Sequence, residues 1–297
     1  MSVVLVTGVT GFVGSHLAAE LSRRGHRVIG STSSGAGLRS ETPGVDRKVV
    51  LRLGDEVDQS IGQGIDAVIH CAWDLRPGSE RANVGGTARL ADAMQHGGVA
   101  HQLFISSYSA HAAAVTEYGK DKLTVQQDML DRGYTAARLG VTIGPGGIYQ
   151  RMTEVLTRHR VIPLIDGGRG PVPIIAIADL ARAVATIVER RLTGVFNLFN
   201  PEFVPLRDVL NEMLAHAQRR VLLVPMPAGL VLVPLWLARK IGLNLPVHID
   251  NVRALRANRG FQEHSDLPAF VSRPMTLTEM VRAAAAATRG ISGRGLR

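Results

Sequence analysis

One cysteine, Cys71, stands in a chain of 297 residues. A single thiol excludes an intrachain disulfide framework and a cysteine-built metal centre, and it fits a reducing compartment. Lysine is nearly as scarce: Lys48, Lys120, Lys122 and Lys240 are the only four, so 30 arginines carry most of the basic charge. Aromatic residues are 4%, too few for a base-stacking platform, and the arginines are spread along the chain. Nucleic acid is therefore not an expected partner, despite a net charge of +9 and an isoelectric point near 10.5. Such a positive field suits an anionic cofactor or substrate instead. No basic n-region or small-residue cleavage site surrounds the first apolar run, so no secretory signal is expected and the cytoplasm is the expected compartment. The one long uncharged stretch, 221–238, has 18 residues broken by Pro225, Pro227 and Pro234, which reads as a buried loop and helix rather than a membrane contact. No His/Asp/Glu cluster has metal-ligand spacing, and no metal is expected. Lys120, His70 and His111 are read as structural or surface groups.

What is present is material for a core. Hydrophobic residues are 45%, charged residues 20% and mean hydropathy +0.11, which excludes a disordered, collagen-like or coiled-coil chain. At this length one large α/β domain, or a main domain with a smaller lobe, is expected. Residues 3–7 form an apolar, β-branched run stopped by Gly8, the pattern of a strand buried on both faces. From Val13 to Arg24 apolar residues recur at 13, 17, 18 and 21, which is helical spacing, and Arg27 to Ile29 starts a second strand after Gly25. Strand, helix and strand in about thirty residues make a βαβ unit with a right-handed crossover. The alternation continues through strands at 48–51, 66–69, 101–105 and 134–139, with helix-like segments near 83–96 and 117–132. It predicts an α/β fold, a doubly wound parallel sheet of the Rossmann kind over residues 1–147. Beyond Gly144-Pro145-Gly146-Gly147 the pattern loosens, with candidate helices near 149–159, 179–190, 206–216, 228–241 and 276–287. Residues 148–288 are read mainly as a smaller substrate lobe that returns to the sheet near 177–198, and the Gly-rich, basic 289–297 as a frayed tail.

Thr7-Gly8-Val9-Thr10-Gly11-Phe12-Val13-Gly14 joins the first strand to the first helix. In that setting Gly8 permits the tight turn, Gly11 lets backbone approach a pyrophosphate and Gly14 lets helix pack on strand, while the helix N-terminus offers free N–H groups to the phosphates. Gly8, Thr10, Gly11, Phe12, Val13 and Gly14 are thus candidate dinucleotide contacts. Folds of this kind that choose NAD place an acid at the end of the second strand, against the ribose 2′-hydroxyl. This chain has Gly30-Ser31-Thr32-Ser33-Ser34 there instead, with Arg39 following. An acid would repel a 2′-phosphate, so the cofactor is NAD or NADP with a lean to NADP. That stretch offers hydroxyls, with Thr32 counted among the cofactor contacts, and Arg39 is either a phosphate partner or a solvated loop residue. Asp55, just past the third strand, can accept from an adenine amino group or cap the next turn.

Tyr118-Gly119-Lys120-Asp121-Lys122 sets Tyr118 and Lys122 on one helix face. A phenol with a pKa near 10 is no base at neutral pH unaided. A cation beside it, with a nicotinamide's positive charge, lowers that pKa and lets the phenolate exchange a proton with a hydroxyl or carbonyl. Upstream, Ile105-Ser106-Ser107 ends a central strand on the carboxyl edge, where open α/β sheets bind ligands. A serine there can hold the same substrate oxygen.

With these parts in this order, the chain resembles the extended short-chain dehydrogenase/reductases, the NAD-dependent epimerase/dehydratase family, over about 1–285. Asp66-Ala67-Val68-Ile69-His70-Cys71-Ala72 looks like the family's fourth strand. Asn83-Val84-Gly85-Gly86-Thr87 is similar to its Asn-Val-x-Gly-Thr signature. Arg138, Gly144-Pro145-Gly146, Ile177-Ala178-Asp179-Leu180-Ala181 and Val195-Phe196-Asn197 follow in family order. The resemblance implies that Ser107 orients the substrate oxygen, with Ser106 and Ser109 as fallbacks. It makes Tyr118 the acid/base and Lys122 both the group that lowers its pKa and the grip on the nicotinamide ribose. Ala72 is counted with the cofactor contacts. A homodimer through the helices near 83–96 and 117–132 is also implied. Three positions depart: Val141, Val172 and Ala176 stand where sugar-nucleotide members carry Asn, a diphosphate-gripping Arg and His, with Arg169 a substitute if its loop turns inward. A diphosphate needs charged donors, so the expected activity is hydride transfer at a carbinol or carbonyl carbon of a less polar small molecule. An epimerase or dehydratase that retains NAD is the alternative, and a non-catalytic cofactor-binding regulatory or assembly subunit the second alternative.

Overall fold

The computed structural model describes residues 1–227 and 263–294. The candidate helix near 228–241 and the apolar stretch beyond residue 227 lie outside the described residues. The first half alternates as its periodicity demands: β1 (Val3–Val6), α1 (Phe12–Arg23), β2 (Arg27–Thr32), α2 (Gly35–Arg39), β3 (Arg47–Val50), β4 (Ala67–His70), α3 (Glu80–His96), β5 (His101–Ser107), α4 (Glu117–Asp131) and β6 (Thr135–Leu139). The second half runs β7 (Val141–Ile143), α5 (Gly147–Arg158), β8 (Val161–Ile165), β9 (Pro171–Val172), β10 (Ile174–Ala176), α6 (Ile177–Glu189), β11 (Gly194–Leu198), β12 (Val204–Pro205), α7 (Leu206–His216), β13 (Leu222–Met226) and α8 (Leu277–Arg294).

Seven strands form one parallel sheet in the order β11-β6-β5-β4-β1-β2-β3. The chain builds outward from β1 through β2 to β3, then restarts at β4 on the other side of β1. That reversal opens a crevice at the carboxyl ends of β1 and β4, where such folds take ligands. The loops after these two strands carry Gly8 and Ala72. Strand β4 is buried at every residue because helices cover both faces of the sheet. Leu17, Ala18 and Leu21 of α1 pack with Leu180, Val184 and Ile187 of α6 on one face. On the other, Leu90 and Met94 of α3 meet Leu5 and Val68, and Val125 and Met129 of α4 meet Phe104.

A separate apolar cluster joins Tyr149 of α5, Leu164, Val172, Val209 and Met213 of α7, and Met280 and Val281 of α8. Asp179, fully buried in the first turn of α6, ties this region together. Its carboxylate accepts from the Met275 N–H at 2.8 Å and pairs with Arg182. Two elements run past the limits the sequence predicts. Strand β2 continues through the hydroxyl run to Thr32, and α8 continues through Gly290 and Gly293 to Arg294, where a frayed tail is predicted from residue 289. Helix α2, capped by Ser34 through the Gly37 N–H, was hidden by its two glycines.

Candidate active site

The glycine-rich loop leaves β1 at Thr7, and each glycine answers a contact. Gly8 has φ +63°, and a Cβ there would stand 2.9 Å from the Ala72 Cα. A Cβ on Gly14 would stand 2.6 Å from the Gly8 carbonyl oxygen. Buried Thr7 clamps the two loops: its Oγ1 accepts from the N–H groups of Cys71 and Ala72, both at 2.9 Å. Thr7→Val keeps the shape and strands both donors, so urea unfolding is expected to show a loss of about 1–3 kcal/mol. Gly11 is the N-cap of α1, with no side-chain cap and no acid in the first turn. The first N–H groups of α1 therefore have no partner within the helix and face an anion-ready end beside exposed Thr10 and Gly11. The half-buried Phe12 ring has a second task. A Cβ at Gly146 or Gly147 would come within 2.6 Å of it, and at Gly144 within 2.9 Å, so the Gly144–Gly147 loop lies directly against this ring.

Beside the loop, Thr7, Ser31, Leu51, Arg52, Ala72 and Leu90 line one cleft. Thr32 is buried at its edge, and Ser33 and Ser34 are exposed. Asp55 is exposed in a turn closed by its own N–H on the Arg52 carbonyl at 3.2 Å, between Leu53 and Val57, which line the cleft. Arg39 is exposed at the far, C-terminal end of α2. Arg52 instead is the cation on the cleft. The register Thr32↔Val50 puts it just beyond the end of β2, a placement its sequence position signals only once β3 is known to be the edge strand next to β2.

Ser107 closes β5 and Tyr118 lies in the first turn of α4, close enough for the Ser107 side chain to act on the phenol. Tyr118 is 40% exposed as a residue, and its partial burial pushes the phenol up from its usual pKa, while the Ser107 side chain pulls it back in part. The Lys122 ammonium lies 6.0 Å from the Tyr118 ring centroid and donates to the Ile105 carbonyl at 2.7 Å. Lys122 is 4% exposed, and that desolvation lowers its pKa to about 7. Trp73 and Phe104 close over the ammonium at 3.8 and 4.5 Å to their centroids. Nothing in the sequence pattern singles out Trp73.

Helix α4 begins where it does because Thr116 caps it through the Gly119 N–H at 3.1 Å. Gly119 also lets the first turn touch the loop after β5, since a Cβ there would stand 2.6 Å from the Ser109 carbonyl oxygen. Gly119→Ala is expected to shift Tyr118 off Ser107 and lower turnover by about a hundredfold with the fold retained, as an ångström of misplacement does. Circular dichroism beside a rate assay checks it.

The fallback serines do other work. Ser106 points away from Tyr118 and donates to Gln126 Oε1 at 2.9 Å, an oxygen that also accepts from Arg138 Nε at 3.1 Å. Arg138 in turn pairs with Glu263, so it is a cross-tie of the fold. The Ser109 N–H donates to Ser107 Oγ at 3.2 Å. Val172 and Ala176 are 4% and 3% exposed and, with half-buried Val141, belong to the second apolar cluster. Arg169 is exposed beside the turn at Asp166–Gly168. Among the described residues no group of three His, Cys, Asp or Glu could hold a metal, and no helix is long and apolar enough to cross a membrane.

Sheet, loop and crevice define a dinucleotide-fold enzyme. The chain belongs to the NAD dependent epimerase/dehydratase family, whose model matches residues 4–198. The dTDP-4-dehydro-6-deoxy-D-allose reductase of Streptomyces bikiniensis is similar, at 28% identity over 267 residues, 71% of this chain and 80% of that protein. A UDP-glucose 4-epimerase of Corynebacterium glutamicum is 27% identical over 245 residues, 66% of this chain and 74% of its own. Among solved structures, the NAD dependent NDP-hexosamine 5,6-dehydratase TunA shares the fold with a TM-score of 0.73 at 16% identity, over 98% of each chain.

Proposed function

We propose that the protein is an NAD(P)-dependent oxidoreductase of the extended short-chain type, moving a hydride to or from a carbinol or carbonyl carbon and exchanging its cofactor at each turnover. The observation that carries this is the juxtaposition of Ser107 and Tyr118 at the carboxyl edge of β5, one helical turn from the buried Lys122 ammonium. The dinucleotide would lie along the crevice, its phosphates at the α1 N-terminus and its adenosine end in the cleft by Ser31 and Ala72. Bound there, a nicotinamide supplies or accepts the hydride. Ser107 and Tyr118 hold the substrate oxygen between their hydroxyls, and Tyr118 passes or takes its proton. The Lys122 ammonium favours the phenolate and grips the nicotinamide ribose.

Net redox chemistry on a substrate less polar than a sugar nucleotide is supported by Val172 and Ala176, which offer a diphosphate no charged donor. A lean to NADP is supported by the acid-free end of β2 and by Arg52 on the cleft. Arg39, at the far end of α2, is the weaker candidate for a 2′-phosphate. A homodimer through α3 and α4 is part of the proposal.

Purifying the protein without added nucleotide, identifying any released dinucleotide by mass and titrating the stripped protein with NADH and NADPH tests the scheme. An empty protein that prefers NADPH supports it. Stoichiometric retained NAD would point to an internally recycling epimerase or dehydratase. Arg52→Ala is expected to weaken NADPH about tenfold, the worth of one charge-assisted phosphate contact, with NADH nearly unchanged.

A further inference from the structure

The Lys122 ammonium has three donors and, among the described residues, one hydrogen-bond acceptor, the Ile105 carbonyl. A buried ammonium so poorly satisfied is costly unless something else faces its charge. Among the described residues no carboxylate does. On α4 itself, Glu117 pairs with Lys120 at 3.2 Å on the exposed side, and Asp121 sits with Glu80 of α3 and Glu117. The titratable group acting on Lys122 from the β4 side is Cys71, whose thiol burial pushes up to about 12 and so keeps neutral. What faces the ammonium is aromatic. The half-buried indole of Trp73 covers it at 3.8 Å, while meeting the Tyr118 ring edge-on at 6.2 Å and the Phe104 ring at 5.9 Å. Of the aromatic side chains, tryptophan offers a cation the strongest π face.

We propose that Trp73 is a positioning residue for the Lys122/Tyr118 pair: its ring face holds the Lys122 ammonium in its dry seat and its edge fixes the Tyr118 ring beside it. Trp73 acts through Lys122 and Tyr118 rather than on the reacting atoms, and its role in turnover rests on the proposed oxidoreductase function. The seat itself does not. A leucine at 73 would keep the site dry but remove the π face, and a phenylalanine would keep a smaller one. Comparing the two separates packing from charge recognition.

Only four lysines are present, so labelling lysine with 13C at the ε-carbon gives four NMR signals, and Lys122→Met assigns the one that matters. In the wild-type protein the Lys122 ε-protons are expected upfield of the other three, shifted by the indole ring, with a titration midpoint near pH 7. Trp73→Phe should keep most of that shift. Trp73→Leu should lose it, and its midpoint should fall by about one pH unit as the charged form loses its partner. Wild-type Lys122 signals with no upfield shift would overturn the proposal with no variant needed. So would Leu and Phe variants that titrate together with the wild type. In turnover, Trp73→Leu should lower kcat about tenfold with KM nearly unchanged, and Trp73→Phe should stay close to wild type. The titration requires neither cofactor nor substrate, so a failure of the oxidoreductase reading shows separately, as a protein that binds neither NADH nor NADPH.

Discussion

Tyr118→Phe should lower turnover by about two to four orders of magnitude, the usual worth of one positioned acid or base, while NADH and NADPH affinities stay near wild type. The substitution removes a single oxygen. Phenylalanine keeps the edge-on contact with Trp73 and the first turn of α4, which Thr116 and Gly119 set independently of the hydroxyl. What is lost is the hydroxyl beside Ser107, placed to exchange a proton with a substrate oxygen held at the carboxyl edge of β5. Steady-state rates beside cofactor titrations check this. Equal rates in the two proteins would show that Tyr118 moves no proton, and would return the chain to the class of cofactor-binding subunits that bind without turning over.

The frame of this fold is legible because its signals are local. An apolar run ending in Gly8, helical spacing through Leu21 and a new strand after Gly25 can only close as a right-handed crossover, and the repeat of that unit dictates a parallel sheet. Tyr118 and Lys122 are legible for the same reason, since four residues on one helix bring side chains together wherever the helix sits. What escapes the sequence is what tertiary approach creates. Trp73 meets Lys122 across the crevice, from a loop some fifty residues away, and no period links them. Arg52 becomes a cleft residue only through the register of β3 on β2. Ser106 and Ser107 are neighbours of one chemistry, and only strand alternation, with Gln126 waiting on one side and Tyr118 on the other, tells them apart.

Lys122→Met is expected to separate stability from activity. In the folded protein desolvation holds the ammonium's pKa near 7, against about 10.4 for an unfolded lysine. Between those values the unfolded chain binds the extra proton, so the wild-type protein gains stability as pH rises from about 7 towards 10; below 7 the full cost of the buried charge is present. Methionine fills much the same space with no charge to bury. Its unfolding free energy should therefore lie above that of the wild type near pH 6 and lose this pH dependence, a difference partly offset by leaving the Ile105 carbonyl without its donor. Denaturant titrations at pH 6 and pH 9 read both effects, and a wild-type slope that survives the substitution would show that the buried charge does not lie at Lys122. Turnover should move the other way, falling by about a hundredfold or more, because the cation that favours the Tyr118 phenolate is gone. In the reductive direction the wild type should also lose rate as pH climbs through about 7 and Lys122 sheds its proton. A dry lysine that weakens the fold at neutral pH is retained, on this account, because the same desolvation makes its charge count at the phenol next to it.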